Sequence, residues 1–117
     1  MPTIRDLVAA IRQREGVEAA VMLGRDGLLI DGQALAGFDT ENIAALVPSI
    51  VTAAEHFASG SARGELVTAV LEYSQGLALV CALSAEAVLL VLVQPTAGVG
   101  ELLYELRRNR EHIAALV

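Results

Sequence analysis

The run of residues from Gly76 to Val93 constrains the fold most, because it is almost wholly apolar and about as long as a transmembrane helix. Ser84 and Glu86 interrupt it near its middle. A carboxylate at the centre of a lone membrane span costs about 2.5 to 3.5 kcal/mol on insertion scales, whereas a turn there gives two buried strands. We therefore predict no membrane span but a hairpin whose two strands, Leu77 to Leu83 and Ala87 to Val93, are covered on both faces.

Hydrophobic periodicity predicts the remaining elements as three helices and three strands. Apolar residues recur at helical spacing in the first, middle and last segments, and shorter apolar runs flank turn residues between them. The predicted helices are Thr3 to Glu15, Asp39 to about Ser59 and a last one from about Val99, and the strands are Val17 to Gly24, Leu28 to Asp31 and Glu65 to Tyr73. We expect an α/β fold in the order α-β-β-α-β-β-β-α, with a five-stranded antiparallel sheet and helices on both faces.

Three local features refine these boundaries. Arg25-Asp26-Gly27 joins the first two strands, and its Asp-Gly pair predicts a hairpin turn in which both residues have positive φ. The segment from Gly32 to Gly37 is predicted as a loop. Pro48 lies inside the second helix, where proline removes a backbone donor and clashes with the preceding turn, so we expect a kink or an alternative start there.

The composition bounds the class of protein. The 117 residues fit one domain, which we assign to residues 1–117. Hydrophobic residues make up 55% and the mean hydropathy is +0.57, an excess that favours self-association. Eight Arg and no Lys against fourteen acids leave a net charge of -6, which disfavours nucleic-acid binding. Cys81 is the single cysteine and the N-terminus has no signal-peptide pattern, so we expect a reduced, cytoplasmic protein.

The second helix carries a face that predicts dimerisation. One side of its helical wheel holds only small or polar residues, namely Ala45, Ser49, Thr52 and His56. The other side is predicted to be core and consists of Ile43, Leu46, Val47, Ile50, Val51, Ala54 and Phe57. The first side lacks Lys and Arg, and its short side chains allow another helix to approach to about 8 to 10 Å. We predict a dimer or partner interface there; the alternative is that these small residues face water.

The sequence contains no recognisable catalytic or cofactor-binding motif. Cys81 lies within an apolar strand, where a thiolate is disfavoured, and is predicted to be a core residue. Neither G-x-G-x-x-G nor a P-loop is present. His56 either contacts a partner or makes only a local hydrogen bond without a function. His112 lies near the C-terminus of the last helix, where it is expected to interact favourably with the helix dipole rather than to bind a metal. We therefore expect no catalytic residue, no cofactor, no metal and no enzymatic activity.

The arginines leave alternatives open. Arg25 in the hairpin turn and Arg63 in the connector after the second helix are either solvated loop charges or an arginine finger that reaches a transferring phosphate. We retain Arg63 as a candidate partner-contacting loop residue. The last helix contains three arginines interleaved with glutamates, namely Arg107, Arg108 and Arg110. For these we favour ion pairs along the helix face over a binding site for an anionic ligand. This pattern does not explain why Arg110 lies near the apolar stripe.

Three stretches of sequence carry a resemblance to a known family. They are Gly24 to Ile30 in the first hairpin, Ala87 to Val93 in the last strand, and Gly100 to Arg108 at the start of the last helix, which is the most specific. With the order of elements, they resemble the Roadblock/dynein light chain family, especially its bacterial members associated with small GTPases. The resemblance spans nearly the whole chain, and Pro48 departs from it.

The resemblance implies a Roadblock/profilin-like fold and a function. Similar proteins form homodimers or heterodimers in which the second helices pack together and the third strands pair across the two-fold axis. In bacterial gliding-motility and polarity systems they act as GTPase-activating partners that reposition the GTPase's own residues, and elsewhere they anchor complexes. The implied function is a homodimeric regulatory or scaffold protein that binds a small Ras-like GTPase. The alternative is a small-molecule-sensing domain of profilin- or sensory-like architecture, against which the scarcity of aromatic residues argues.

Overall fold

The structure is a computed structural model that describes residues 2–95 and 98–117, and its elements follow the predicted order. The helices are α1 (Ile4–Arg12), α2 (Thr40–Gly60), α3 (Gly100–Arg108) and α4 (Arg110–Ala114), and the strands are β1 (Val17–Gly24), β2 (Leu29–Ala34), β3 (Thr68–Tyr73), β4 (Gly76–Ala82) and β5 (Ala87–Val93). The predicted last helix is broken at Asn109, whose side-chain amide donates to the carbonyl of Glu105 over 2.9 Å. Asparagine competes in this way for helical backbone groups.

The five strands form one antiparallel sheet in the spatial order β2-β1-β5-β4-β3. β1 and β5 lie side by side in the middle, so the β1–β2 hairpin and the meander of β3, β4 and β5 meet at this pair. The predicted five-stranded antiparallel sheet is therefore confirmed. Its two edges are β2 and β3, which are the least buried of the strands.

The apolar run from Gly76 to Val93 forms two paired strands rather than one continuous helix. β4 and β5 pair from Leu77 opposite Val93 to Ala82 opposite Val88, and the turn between them contains the two interrupting residues. The Ser84 hydroxyl accepts hydrogen bonds from the backbone N–H groups of Glu86, at 3.1 Å, and Ala87, at 3.2 Å. The predicted hairpin is confirmed, and Ser84 closes its turn.

Helices cover both faces of the sheet, as predicted. On one face, α1, α3 and α4 pack through Val8, Leu106 and Ile113 against alternate residues of the central strands. On the other face, α2 packs alone through its buried residues Ala44, Val47 and Val51. Because strand side chains alternate between faces, the near-continuous apolar runs of β4 and β5 supply both layers. The single layer contributed by α2 leaves the far side of that helix without a cover.

The first hairpin differs from its prediction. Gly27 has a φ of +87°, but Asp26 does not adopt positive φ, so the turn is not of the type that needs two such residues. The Gly27 N–H donates to the carbonyl of Gly24 and the Gly24 N–H donates to that of Leu28, both over 2.9 Å. This is the three-residue hairpin loop that ends in a left-handed glycine. In addition, β2 extends to Ala34, so the predicted loop begins later than Gly32.

Pro48 neither interrupts α2 nor starts it, because the helix runs from Thr40 to Gly60. Asp39 caps it as predicted, with its carboxylate accepting from the Asn42 N–H at 3.2 Å. Within the described residues, α2 is the one helix long and apolar enough to cross a membrane by length and composition alone. Ala44, Val47 and Val51 attach one side of this helix to the sheet, and most of the rest of the helix is exposed.

Candidate partner-binding surface

The candidate interface residues predicted on the second helix, Ala45, Ser49, Thr52 and His56, are all exposed on α2. Their spacing of three or four residues places them on one side of the helix, pointing away from the buried side that contacts the sheet. None of them takes part in the side-chain hydrogen bonds or ion pairs of the described residues. The prediction that this side of α2 is an interface is not tested by the structure of a single chain. The four side chains are accessible to a partner, which an interface requires.

Two residues predicted to be core belong to the exposed side instead. Leu46 is 62% exposed and Phe57 is 76% exposed. At 100° per residue they lie at the edge of the predicted core arc, and the buried stripe of α2, which consists of Ala44, Val47 and Val51, does not extend to them. We define the outer face of α2 as Ala45, Leu46, Ser49, Thr52, Ala53, His56 and Phe57. The apolar character of α2 almost all round its axis is a sequence signal of apolar surface that a small domain cannot cover, but it does not identify which residues are exposed.

The β1–β2 turn packs closely against α2 and fixes its position over the sheet. Gly27 is buried, and a Cβ atom added there would lie 3.2 Å from Cγ of Pro48 and 3.4 Å from Cα of Ala45. Glycine is therefore needed at this position for close approach as well as for its positive φ. The contact also gives Pro48 a packing role that the sequence pattern did not reveal.

Arg25 is held by neighbouring segments rather than being a solvated loop charge. Its Nε donates to the carbonyl of Ser84 over 2.9 Å, and its Nη1 lies 2.7 Å from Oε2 of Glu55 in α2. Its backbone N–H also donates to the carbonyl of Glu86 over 3.1 Å. The side chain therefore joins the first hairpin turn, the β4–β5 turn and α2, so the prediction of a solvated loop charge is wrong, whereas the arginine finger stays a prediction.

Arg63 lies exposed in the connector between α2 and β3. It lines an open cleft together with Phe57 of α2, Val67 and Arg107 of α3. Its backbone N–H donates to the carbonyl of Ala58 over 3.1 Å, which holds the connector against the end of α2. The structure leaves the Arg63 guanidinium accessible, so its role as a partner-contacting residue stays a prediction.

The arginines of the last segment do not form the predicted helix-face ion pairs. Glu105 pairs with Arg14 of the α1–β1 connection, and no ion pair within residues 2–95 and 98–117 includes Arg107 or Arg108. The Nε of Arg110 donates to the carbonyl of Ala82 over 2.7 Å. This bond explains why Arg110 lies near the apolar stripe, since the side chain must cross it to reach the end of β4.

Cys81 is a core residue, as predicted. It is 4% exposed in the layer beneath α1, α3 and α4, and burial raises the pKa of its thiol from the usual 9.0 to about 11. A hydrogen bond with Thr68 and the charges of Arg110 and Arg107 oppose this shift without cancelling it. A thiol with so high a pKa is protonated at neutral pH and is a poor nucleophile.

The described residues form open clefts, and no group of three or more His, Cys, Asp or Glu side chains among them is placed to hold a metal ion. The two clefts beside the α2–β3 connector have volumes of about 960 and 600 Å³ and open to solvent. A small-molecule sensor encloses its ligand in a concave pocket. The small-molecule alternative stays a prediction that neither cleft supports.

Comparison with known proteins agrees with this architecture. The model of the Roadblock/LC7 domain matches residues 3–93. The uncharacterized protein MJ1340 of Methanocaldococcus jannaschii is 27% identical over 106 residues, which is 91% of this chain and 92% of that protein. The crystal structure of a Roadblock/LC7 domain from Streptomyces avermitilis is 22% identical, with a TM-score of 0.82 over 93% of this chain and 92% of that one. The gliding protein MglB from Thermus thermophilus is 16% identical, with a TM-score of 0.82 over 97% and 87% of the two chains. The family match spans most of the chain and the shared fold agrees with it, so this chain belongs to the Roadblock/LC7 domain family.

Proposed function

We propose that this chain is a non-catalytic, cytoplasmic domain over residues 1–117 that forms a homodimer and binds a small Ras-like GTPase as a regulator or scaffold. The proposal rests on the observation that the outer face of α2 is exposed and consists of apolar and small side chains. In its regulatory form, the dimer stimulates GTP hydrolysis by repositioning the GTPase's own residues, and in its scaffold form it only tethers the GTPase.

The exposed apolar side chains of α2 support self-association. Leu46 and Phe57 are exposed by 62% and 76%, and burying apolar surface stabilises a complex by about 25 cal/mol per Å². Between them, Ser49 and Ala53 are short enough for close helix approach. The single charged side chain between Asn42 and Ser61 is Glu55, which is paired with Arg25. A second copy of α2 can therefore pack here without meeting an unpaired charge.

The exposed edge of β3 supports the same arrangement. β3 has a neighbour on one side only, and its side chains Val70 and Tyr73 are exposed. An unpaired strand edge is a template for pairing with another strand unless it is covered or charged. Pairing of two β3 strands across a two-fold axis, which the sequence resemblance implies, would cover both edges and extend the sheet across the dimer.

The choice of a GTPase as partner rests on family resemblance. The fold is shared with a gliding protein, MglB, and the sequence resemblance implies that bacterial gliding-motility members act on small GTPases. The chain's own chemistry fits a partner that supplies its own catalytic residues, because Cys81 is buried and protonated and Arg25 is held by Glu55 and Ser84. Arg63 remains accessible to contact the partner.

The proposal is tested with each small Ras-like GTPase of the organism that encodes this chain. Binding to its GTP-loaded and GDP-loaded forms is measured first, followed by single-turnover GTP hydrolysis with and without the chain. Binding with accelerated hydrolysis supports the regulator, and binding with unchanged hydrolysis leaves the scaffold.

The control separates the outer face of α2 from general effects of added charge. Ser49→Arg is compared with Gln13→Arg, which adds the same charge at an exposed position next to α1. We expect Ser49→Arg alone to weaken both self-association and GTPase binding. If neither nucleotide form of the GTPase binds the wild-type chain, the proposed partner is wrong, whatever the oligomeric state.

A further inference from the structure

Two adjoining clefts border the connector between α2 and β3 and collect four of the eight arginines of the chain. The larger cleft is lined by Arg25 and Arg110, and the smaller one by Arg63 and Arg107. Both clefts include Ala58, Glu65 and Leu66, so they form one continuous surface around the end of α2. We call this surface the arginine groove.

The arginine groove carries charge of the opposite sign to the chain as a whole. Its lining contains four arginines and two glutamates, whereas the net charge of the chain is -6. Glu55 is neutralised by Arg25, and Arg110 donates its Nε to a neutral carbonyl. Within the described part of the chain, Arg63 and Arg107 enter no ion pair. A local positive field on an acidic protein selects an anionic partner.

The lining also indicates which class of anion fits. Phe57, Leu66 and Val67 add apolar surface between the charges, and Phe57 and Val67 are exposed. The clefts are open, which disfavours an enclosed small ligand. The two glutamates of the lining and the net charge of the chain disfavour the dense phosphates of a nucleic acid. Carboxylates that alternate with apolar side chains match the surface best.

We propose that the arginine groove binds an acidic, extended segment of a partner protein. Carboxylates of this segment pair with Arg63 and Arg107, and its apolar side chains cover Leu66 and Val67. The groove meets the outer face of α2 at Phe57 but lies mostly on the connector, the β4–β5 turn and the last two helices. Arg63 is also the proposed contact of a GTPase, but Arg107 is assigned to the groove alone, so peptide binding is tested at Arg107 without a GTPase.

The test uses random peptides of about 12 residues displayed on phage, because such peptides span about 40 Å when extended and the longest dimension of the domain is 38 Å. They are selected on the immobilised full chain. We expect enriched peptides to combine several Asp or Glu residues with apolar residues. The Kd of the most enriched peptide, labelled with fluorescein, is then measured by fluorescence anisotropy on the wild type and on charge-reversal variants.

Arg107→Glu and Arg108→Glu are the matched pair, since both reverse one charge in the last turn of α3 and only Arg107 lines the groove. We expect Arg107→Glu to weaken peptide binding about tenfold or more and Arg108→Glu by less than about twofold. Arg63→Glu, in an exposed connector, is expected to act like Arg107→Glu without changing the fold.

Three results would overturn the proposal. Enrichment of neutral or basic peptides would exclude an acidic partner. Equal losses for Arg107→Glu and Arg108→Glu would show general charge attraction rather than a site. The third result concerns the oligomeric state, measured by light scattering. If Arg63→Glu or Arg107→Glu has a lower mass than the wild type while Arg108→Glu keeps the wild-type mass, a second copy of this chain occupies the groove.

Discussion

Arg110 donates a hydrogen bond of 2.7 Å from its Nε to the carbonyl oxygen of Ala82, which joins the start of α4 to the end of β4. Ala82 is 1% exposed. A carbonyl in such a position loses its hydrogen bonds to water on folding and needs a partner within the protein. The guanidinium therefore satisfies a buried acceptor at a point where the helical layer and the sheet meet.

Replacing Arg110 by methionine is expected to destabilise the fold. Arg110→Met keeps most of the apolar stem but leaves the Ala82 carbonyl without this donor, which costs about 1 to 3 kcal/mol. The free energy of unfolding is measured by urea denaturation. Arg108→Met is the control, because Arg108 is exposed in the same segment and makes no side-chain hydrogen bond in the described residues; it should change stability by less than about 0.5 kcal/mol. Equal effects of the two substitutions would assign the loss to charge or helix propensity.

The raised pKa of Cys81 predicts a loss of stability at alkaline pH. The thiol has a pKa of about 11 in the folded chain and 9.0 in its usual state, and burial is the main cause. Below pH 9 the thiol is protonated in both states and has no effect on the pH dependence. Between pH 9 and 11 only the unfolded chain ionises, so the stability falls as the pH rises, by about 2 kcal/mol at pH 11.

Urea denaturation of the wild type and of Cys81→Ala between pH 8 and about pH 11 checks this prediction. The two proteins differ only at residue 81, so the difference between the two profiles isolates the thiol. The wild-type profile is expected to fall more steeply above pH 9. Parallel profiles would mean that Cys81 ionises equally easily in the folded and unfolded chains.

Local signals predicted the elements well, because each depends on neighbours in the sequence. The Ser84 and Glu86 interruption predicted the β4–β5 hairpin, and Asp39 predicted the start of α2. Contacts between distant segments were not predictable in the same way. The bond from Arg110 to Ala82 joins residues 28 apart, and the ion pair of Arg25 with Glu55 joins residues 30 apart. No periodicity records which carbonyl or carboxylate a long side chain will reach.

The candidate surface was predicted in part for a related reason. Helical spacing places Ala45 and Ser49 on one side of α2 in any environment. The width of the buried stripe, however, depends on what the helix packs against, and α2 packs against the sheet on one side only. Leu46 and Phe57 are therefore exposed although they are large and apolar. The exposure of an apolar residue at the edge of a helical stripe can therefore be determined only from the tertiary structure.

Gly27 is expected to tolerate alanine less well than Gly37 does. Both have positive φ, +87° and +99°, so an alanine at either position adopts an unfavourable backbone conformation that costs about 1 to 2 kcal/mol. At Gly27 the new Cβ also lies 3.2 Å from Pro48, whereas at Gly37 nothing lies within 4 Å. Gly27→Ala should cost about 1 kcal/mol more than Gly37→Ala in urea denaturation. Equal costs would mean that the turn moves away from α2 without penalty.

Arginine on the outer face of α2 is expected to disrupt a dimer without unfolding the chain. Ser49 and Thr52 are exposed in one copy, so Ser49→Arg or Thr52→Arg should leave the single chain folded, and the melting temperature should fall only by the stabilisation that the dimer provides. In a two-fold dimer each substitution brings two like charges together in an apolar contact, which weakens association. Light scattering should show the mass falling from that of two chains to that of one, while Gln13→Arg keeps the mass of two chains. A wild type that already has the mass of one chain would contradict the homodimer, and variants that keep the mass of two chains would place the dimer interface elsewhere.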